Sequence, residues 1–119
     1  MEQKYQIGAI SGNIMWDIEK IKKDISQYVI KEYNAFELFK ENPFYGNEQY
    51  AMDTDISVPL IVVELKKGKE KLIDGNHRLF KANKLGCKTI SAHYLSENEH
   101  KKYIVEYDEK LYKKIVEEF

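Results

Sequence analysis

The stretch LIDGNHRLFKANKLG, residues 72–86, decides the fold. A short apolar run, Leu72 and Ile73, ends in Asp74-Gly75. Asn76, His77 and Arg78 follow at once, and Leu79, Ala82 and Leu85 then recur at helical spacing. Gly86 stands where glycine commonly ends a helix. The stretch therefore predicts a strand, a tight turn and a helix. Asp74-Gly75 suits a turn that needs a positive φ at Gly75. In a helix that starts near Asn76, the first backbone N–H groups have no intrahelical acceptor and sit at the positive end of the dipole. Gly75 lets a ligand approach closely, so the junction is a ready anion site. His77 and Arg78 add donors there. A cation at this end is unfavourable by roughly 0.3–1 kcal/mol until a negative group neutralises it. A phosphate would do so through charge-assisted bonds. The alternatives are that Asp74 pairs with Arg78 or holds a metal ion, or that Asp74 or Asn76 caps the helix while His77 and Arg78 lie in water.

Upstream, residues 58–65 are rich in β-branched side chains and nearly all apolar, as a strand buried on both faces requires. Lys67-Gly68-Lys69 reads as a turn and residues 71–73 as a return strand, which makes a hairpin. Downstream, Ile90, Ala92 and Tyr94 alternate with Ser91 and His93 in a further strand over 89–95. SENE, residues 96–99, has the capping-box pattern of a helix start. A last helix begins near Asp108 and places Leu111, Tyr112, Ile115, Val116 and Phe119 on one face. Near the N-terminus, Ile14, Ile18, Ile21, Ile25, Tyr28 and Val29 step by threes and fours, which predicts an amphipathic helix capped by Asn13 with Lys20, Lys22 and Lys23 in water. Residues 35–42 suit a short helix that Asn42-Pro43 ends, and Tyr45-Gly46-Asn47 suits a loop. Strands and helices without regular alternation point to an α+β class. The expectation is a single domain over 1–119, with a small mixed sheet in a core at 53–95 and helical flanks at 13–33 and 96–119.

The 119 residues suit one domain, and 43% hydrophobic with 33% charged residues suits a globular core rather than disorder. No run is long and apolar enough to span a membrane, and the first residues lack the basic and apolar segments of a signal peptide, so a cytoplasmic location and no membrane partner are expected. The single cysteine, Cys87, excludes an internal disulfide. A net charge of -1 disfavours a protein whose main work is gripping a nucleic-acid backbone. His93 and His100 lack the ligand spacing of a zinc site.

The run LIDGNHRLFKANKLGCKTISAHYL, with DISVPLIVVEL before it, resembles the signature of the ParB/sulfiredoxin superfamily, in which a strand leads into a Gly-x-His-Arg or Gly-Glu-Arg-Arg motif and then a helix and a strand. The resemblance covers residues 53–95 and is greatest to small, stand-alone ParB-like proteins sometimes labelled nucleases. It implies a compact α+β domain that binds nucleotide phosphates at the helix start. Members hydrolyse CTP in DNA partition, use ATP in sulfinic acid repair, or phosphorylate free serine. By position, Gly75, Asn76, His77 and Arg78 would contact phosphate, and Lys81, one turn on, would reach it or face water. Asn76 stands where sulfiredoxins carry their cysteine, so sulfinic acid repair is not expected, and no helix-turn-helix follows the motif. The implied ligand is a nucleoside triphosphate or diphosphate, ATP or CTP, with Mg²⁺. In hydrolysis or phosphoryl transfer, Asp53 and Asp55 are candidates to hold the metal. Glu37 and Asp74, with His77 and Arg78, are candidates for proton transfer and charge stabilisation. A nucleic-acid-binding or nuclease module and a non-catalytic, antitoxin-like interaction protein are the rival readings.

Overall fold

The computed structural model describes residues 3–119. It is α+β. Strands β1 (Lys4–Ala9) and β2 (Gly12–Asp17) form an antiparallel hairpin. Helix α1 (Ile18–Lys23), a 3-10 turn (Ile25–Gln27) and β3 (Ile30–Asn34) follow. Next come α2 (Ala35–Glu41), α3 (Glu48–Met52), β4 (Leu60–Lys66), β5 (Lys69–Asp74) and α4 (Asn76–Lys84). Strand β6 (Thr89–Leu95), α5 (Glu97–Lys101) and α6 (Glu109–Val116) complete the chain. The main sheet has the order β3-β6-β4-β5, with β4 and β6 parallel and the other pairs antiparallel. The predicted hairpin is β4–β5. Strand β5 reverses the chain, and helix α4 then carries it across β4 to β6, which pairs parallel to β4 on the other side.

Alternation along β4 explains its composition. Leu60 and Val62 point into a cluster with Leu72, Ile90, Ala92, Leu79, Ala82, Ala35 and Leu38, beneath α2 and α4. Ile61, Val63 and Leu65 point to the other face, into a cluster with Trp16, Ile18, Ile21, Tyr103, Tyr112 and Ile115. The sheet is thus the middle of three layers, and a strand buried on both faces must be apolar throughout. At the sheet's edge, Tyr94 N–H donates to Val29 C=O and Ala35 N–H to Lys88 C=O, at 2.8 and 3.0 Å. In an antiparallel ladder this makes the odd-numbered residues of β3 bond inward, and the backbone of Ile30, Glu32 and Asn34 turn outward.

Four expectations need correction. Residues 13–33 are not one helix: Asn13 lies in β2 opposite Gly8, Asp17 caps α1 through Lys20 N–H at 3.1 Å, and β3 occupies Ile30–Asn34. Ile14 and Trp16 enter the core with a period of two, and Ile18 and Ile21 then enter it from α1, so a strand–helix junction mimics one helical stripe. Strand β4 begins at Leu60, not Val58, which is exposed. Leu85 is 56% exposed, and Phe80 joins Leu79 and Ala82 in being buried on α4 instead. On α6, Leu111 and Phe119 are exposed, while Tyr112, Ile115 and Val116 are buried.

Candidate functional site

Strand β5 delivers Asp74 to the foot of α4, and Gly75 turns the chain with φ 104° and ψ 21°. The positive φ expected for Gly75 is present, and a Cβ there would run into Leu60 Cδ2. The requirement for glycine therefore comes from the core as well as from the turn. Gly75 is the N-cap of α4 and offers no side-chain bond. Among the described residues the other five α-helices all have a side-chain cap, from Asp17, Asn34, Asn47, Ser96 and Asp108. Asn76 is the first helical residue rather than a cap, and its Oδ1 is buried without a hydrogen-bond partner.

Arg78 is committed elsewhere. Its Nη2 donates to Asp74 Oδ2 at 2.7 Å, and Nη1 donates to the carbonyls of Val58 and Pro59 at 3.0 and 2.8 Å. The pair is i,i+4, and Asp74 is 8% exposed in its side chain. Asp74 also accepts from Gln3 Nε2 at 2.9 Å and lies 3.7 Å from Lys22 Nζ. The charge that neutralises Arg78 is thus Asp74, and the guanidinium pins the segment entering β4 to the start of α4. Lys81 does similar work one turn on, donating to Thr54 C=O at 2.6 Å.

Three hollows meet at this junction, and His77 lines all of them. The first, of about 480 Å³, runs between Lys22, Tyr50, Asp55, Asp74, Gly75 and Arg78. The second, of about 430 Å³, lies under the loop after α2, between Tyr5, Phe44, Tyr45, Lys71 and Asn76. The third, of about 250 Å³, connects Tyr5 and Ile18 to Asp74 and Asn76. The His77 ring is held edge-on between Phe44 and Tyr50, with centroids 5.2 and 4.7 Å away.

The remaining candidates divide. Asp55 lines the first hollow, and the Ser57 hydroxyl and N–H, at 2.6 and 2.9 Å, hold its carboxyl below the usual range, helped by the charges of Lys81 and Arg78. Asp53 ends α3, is exposed and lines none of the three hollows. Glu37 lies on another surface, in a groove with Tyr33, Glu41 and Glu70, and pairs with Lys40 at 3.5 Å. The structure does not bring it to Arg78. Among the described residues, no group of three or more His, Cys, Asp or Glu is placed to hold a metal alone. Nor are the two other histidines paired: His93 Nδ1 faces Tyr28 C=O at 2.9 Å, and His100 lies in the core. No helix is long and apolar enough to cross a membrane among the described residues.

Sequence reasoning missed Gln3, Lys22, Phe44, Tyr50 and Lys71 as neighbours of this site. Lys22 reads as part of a solvated helix face, and a charged stripe carries no sign of what folds against it. No protein-family model, curated protein or solved structure matches the chain, so its resemblance to the ParB/sulfiredoxin superfamily rests on the residues of 53–95 alone.

Proposed function

We propose that this domain binds a nucleoside triphosphate or diphosphate, its phosphates against the first turn of α4, as the ParB/sulfiredoxin resemblance implies. The observation that carries the reading is the start of α4, the one α-helix among the described residues whose N-cap makes no side-chain bond, opening on hollows of several hundred Å³. Phosphate oxygens would accept from the free N–H groups of that turn. Lys22, 46% exposed beside Asp74, adds charge. Arg78 contributes positive potential while it holds Asp74 and the β4 entry, and it acts as a positioning residue rather than the direct phosphate ligand. Mg²⁺ is ordinarily bound by one or two carboxylates plus substrate phosphates, and Asp55 is the carboxylate of this chain that fits that part. Hydrolysis or phosphoryl transfer here would be a matter of positioning and charge stabilisation, drawing on Asp55 and His77. A nucleotide ligand and a lone Cys87 fit a cytoplasmic setting.

The test is the thermal midpoint with ATP, ADP, CTP and GTP, each with and without Mg²⁺. A ligand at a hundred times its Kd stabilises by about 2.7 kcal/mol. At least one nucleotide should raise the midpoint, and Lys22→Ala should weaken that rise while leaving the ligand-free midpoint in place. No shift with any nucleotide would sink the reading. Binding to DNA that falls steeply with salt would favour the nucleic-acid module instead.

A further inference from the structure

We infer that the hollow beneath the loop after α2 is a nucleobase subsite that takes a base bearing a carbonyl oxygen, with Lys71 as its donor. The inference rests on the nucleotide reading above and extends it to the other side of His77. Asn42 is 4% exposed and ends α2, and its Nδ2 donates to Leu38 C=O at 2.9 Å. That bond turns Asn42 Oδ1 toward Lys71 Nζ, which donates to it at 3.1 Å. Lys71 is half-buried on β5, and among the described residues no carboxylate lies within ion-pair distance of it. Burial, and then the charge of Lys69, push its ammonium below the usual lysine range. An ammonium has three donors, and a partly desolvated one with a single neutral partner favours a further acceptor.

The hollow, about 430 Å³, supplies the rest. Tyr5 and Phe44 line it, and Tyr45, largely in solvent, stands at its edge. Phe44 is fixed, stacked on Phe80 with centroids 4.5 Å apart and met edge-on by His77. Aromatic walls accept the face of any base, so selectivity must come from polar groups. Asn76 and His77 line this hollow and belong to the turn assigned to the phosphates, so one ligand can occupy both places. Lys71 lines the same hollow, and a carbonyl oxygen, which cytosine, uracil, guanine and hypoxanthine carry and adenine lacks, is a stronger acceptor for an ammonium than the ring nitrogens of adenine.

The sharpest comparison is inosine triphosphate against ATP, two nucleotides of matched size that differ at the purine 6-position, carbonyl against amine, and at N1, an N–H donor against a ring acceptor. Calorimetric titration of both, with tripolyphosphate as the base-free probe, is expected to give inosine triphosphate about a tenfold lower Kd than ATP, as for one hydrogen bond to a charged donor. Lys71→Met, which keeps an apolar stem, is expected to abolish that preference while leaving tripolyphosphate binding unchanged. Equal affinity of wild-type protein for the two nucleotides would overturn the subsite without touching the phosphate reading, and so would a preference that survives in Lys71→Met. If neither nucleotide nor tripolyphosphate binds, both readings fall. The wild-type comparison decides the matter even if Lys71→Met does not fold.

Discussion

Arg78 is the residue on which local order around the site turns. Its guanidinium joins Asp74 to the carbonyls of Val58 and Pro59, so it ties the exit of β5 to the entry of β4. Arg78→Ala would leave Asp74, 8% exposed in its side chain, without its closest cation, and two carbonyls without their donor. Truncating one partner of a desolvated charged bond costs more than the bond itself contributes. The expected loss is about 2–3 kcal/mol in urea denaturation, and Arg78→Lys should recover only part, because an ammonium lacks the planar fork that spans three acceptors. An unchanged midpoint in Arg78→Ala would refute the clamp. The i,i+4 spacing of Asp74 and Arg78 made their pairing one of the readings available from the sequence. The two carbonyls were not legible, because a backbone acceptor leaves no mark on residue identity. The positive φ at Gly75 was legible from the Asp-Gly turn, whereas its contact with Leu60 is a tertiary fact.

At the scale of elements, capping and turn signals predict the structure well, whereas the stripe over 14–29 and the weak patterns do not. Helix α5 shows the strong case: Glu99 N–H donates to Ser96 Oγ at 3.3 Å, and Ser96 N–H to Glu99 Oε1 at 2.8 Å, the reciprocal box that SENE announces. Ser96→Ala removes one acceptor and should cost about 1 kcal/mol. A chemical-denaturation series with Ser96→Asp as the restoring variant measures it, and equal stability of Ser96→Ala and wild type would contradict the cap. Strand β6 is legible over 89–95 because Ile90 and Ala92, buried on one face, alternate with half-buried Ser91 and His93. Strand β3 is not legible within 13–33 because it is an edge strand with exposed residues, so no burial pattern marks it. Helix α3 has five residues and no apolar stripe long enough to register. The loop after α2 brings Phe44 to His77 and α3 brings Tyr50, and nothing in the sequence of either announces the meeting.

The whole molecule is joined across its layers by His100, which is fully buried. Trp16 Nε1–H on β2 donates to His100 Nδ1 at 3.0 Å, so Nε2 carries the proton and donates to Glu64 C=O on β4 at 2.8 Å. Tyr112 of α6 donates to the neighbouring Leu65 carbonyl. A second proton on the ring would displace the Trp16 bond and place a charge in the core. Burial accordingly pushes the His100 pKa down from 6.5 to about 4, against weaker opposing help from Glu64 and Glu97. The unfolded chain takes up this proton at higher pH than the folded one. Stability from this group is therefore complete above pH 6.5 and is lost as pH falls toward 4, by on the order of 3 kcal/mol. Denaturation midpoints between pH 7.5 and 4 should decline along that window, and His100→Gln should flatten the decline while lowering stability at neutral pH. A wild-type midpoint independent of pH from 6.5 to 4.5 would show that His100 titrates normally.

The parity of β3 has a consequence for how copies of the chain meet. A second copy adding to this open edge in antiparallel, two-fold fashion must oppose outward-turned residues to outward-turned residues, even number to even number. The two-fold axis then passes through a residue rather than between two. Of the three central choices, one sets Lys31 against its own copy, one sets Glu32 against its own copy, and one sets Tyr33 against its own copy with Glu32 opposite Asn34. Like charges directly opposite are unfavourable in the first two arrangements. The register that would mate Lys31 with Glu32 has the wrong parity for backbone bonding. Two adjacent charges of opposite sign, harmless within one molecule, thereby disfavour two of the three central registers of edge-to-edge pairing and leave the one centred on Tyr33.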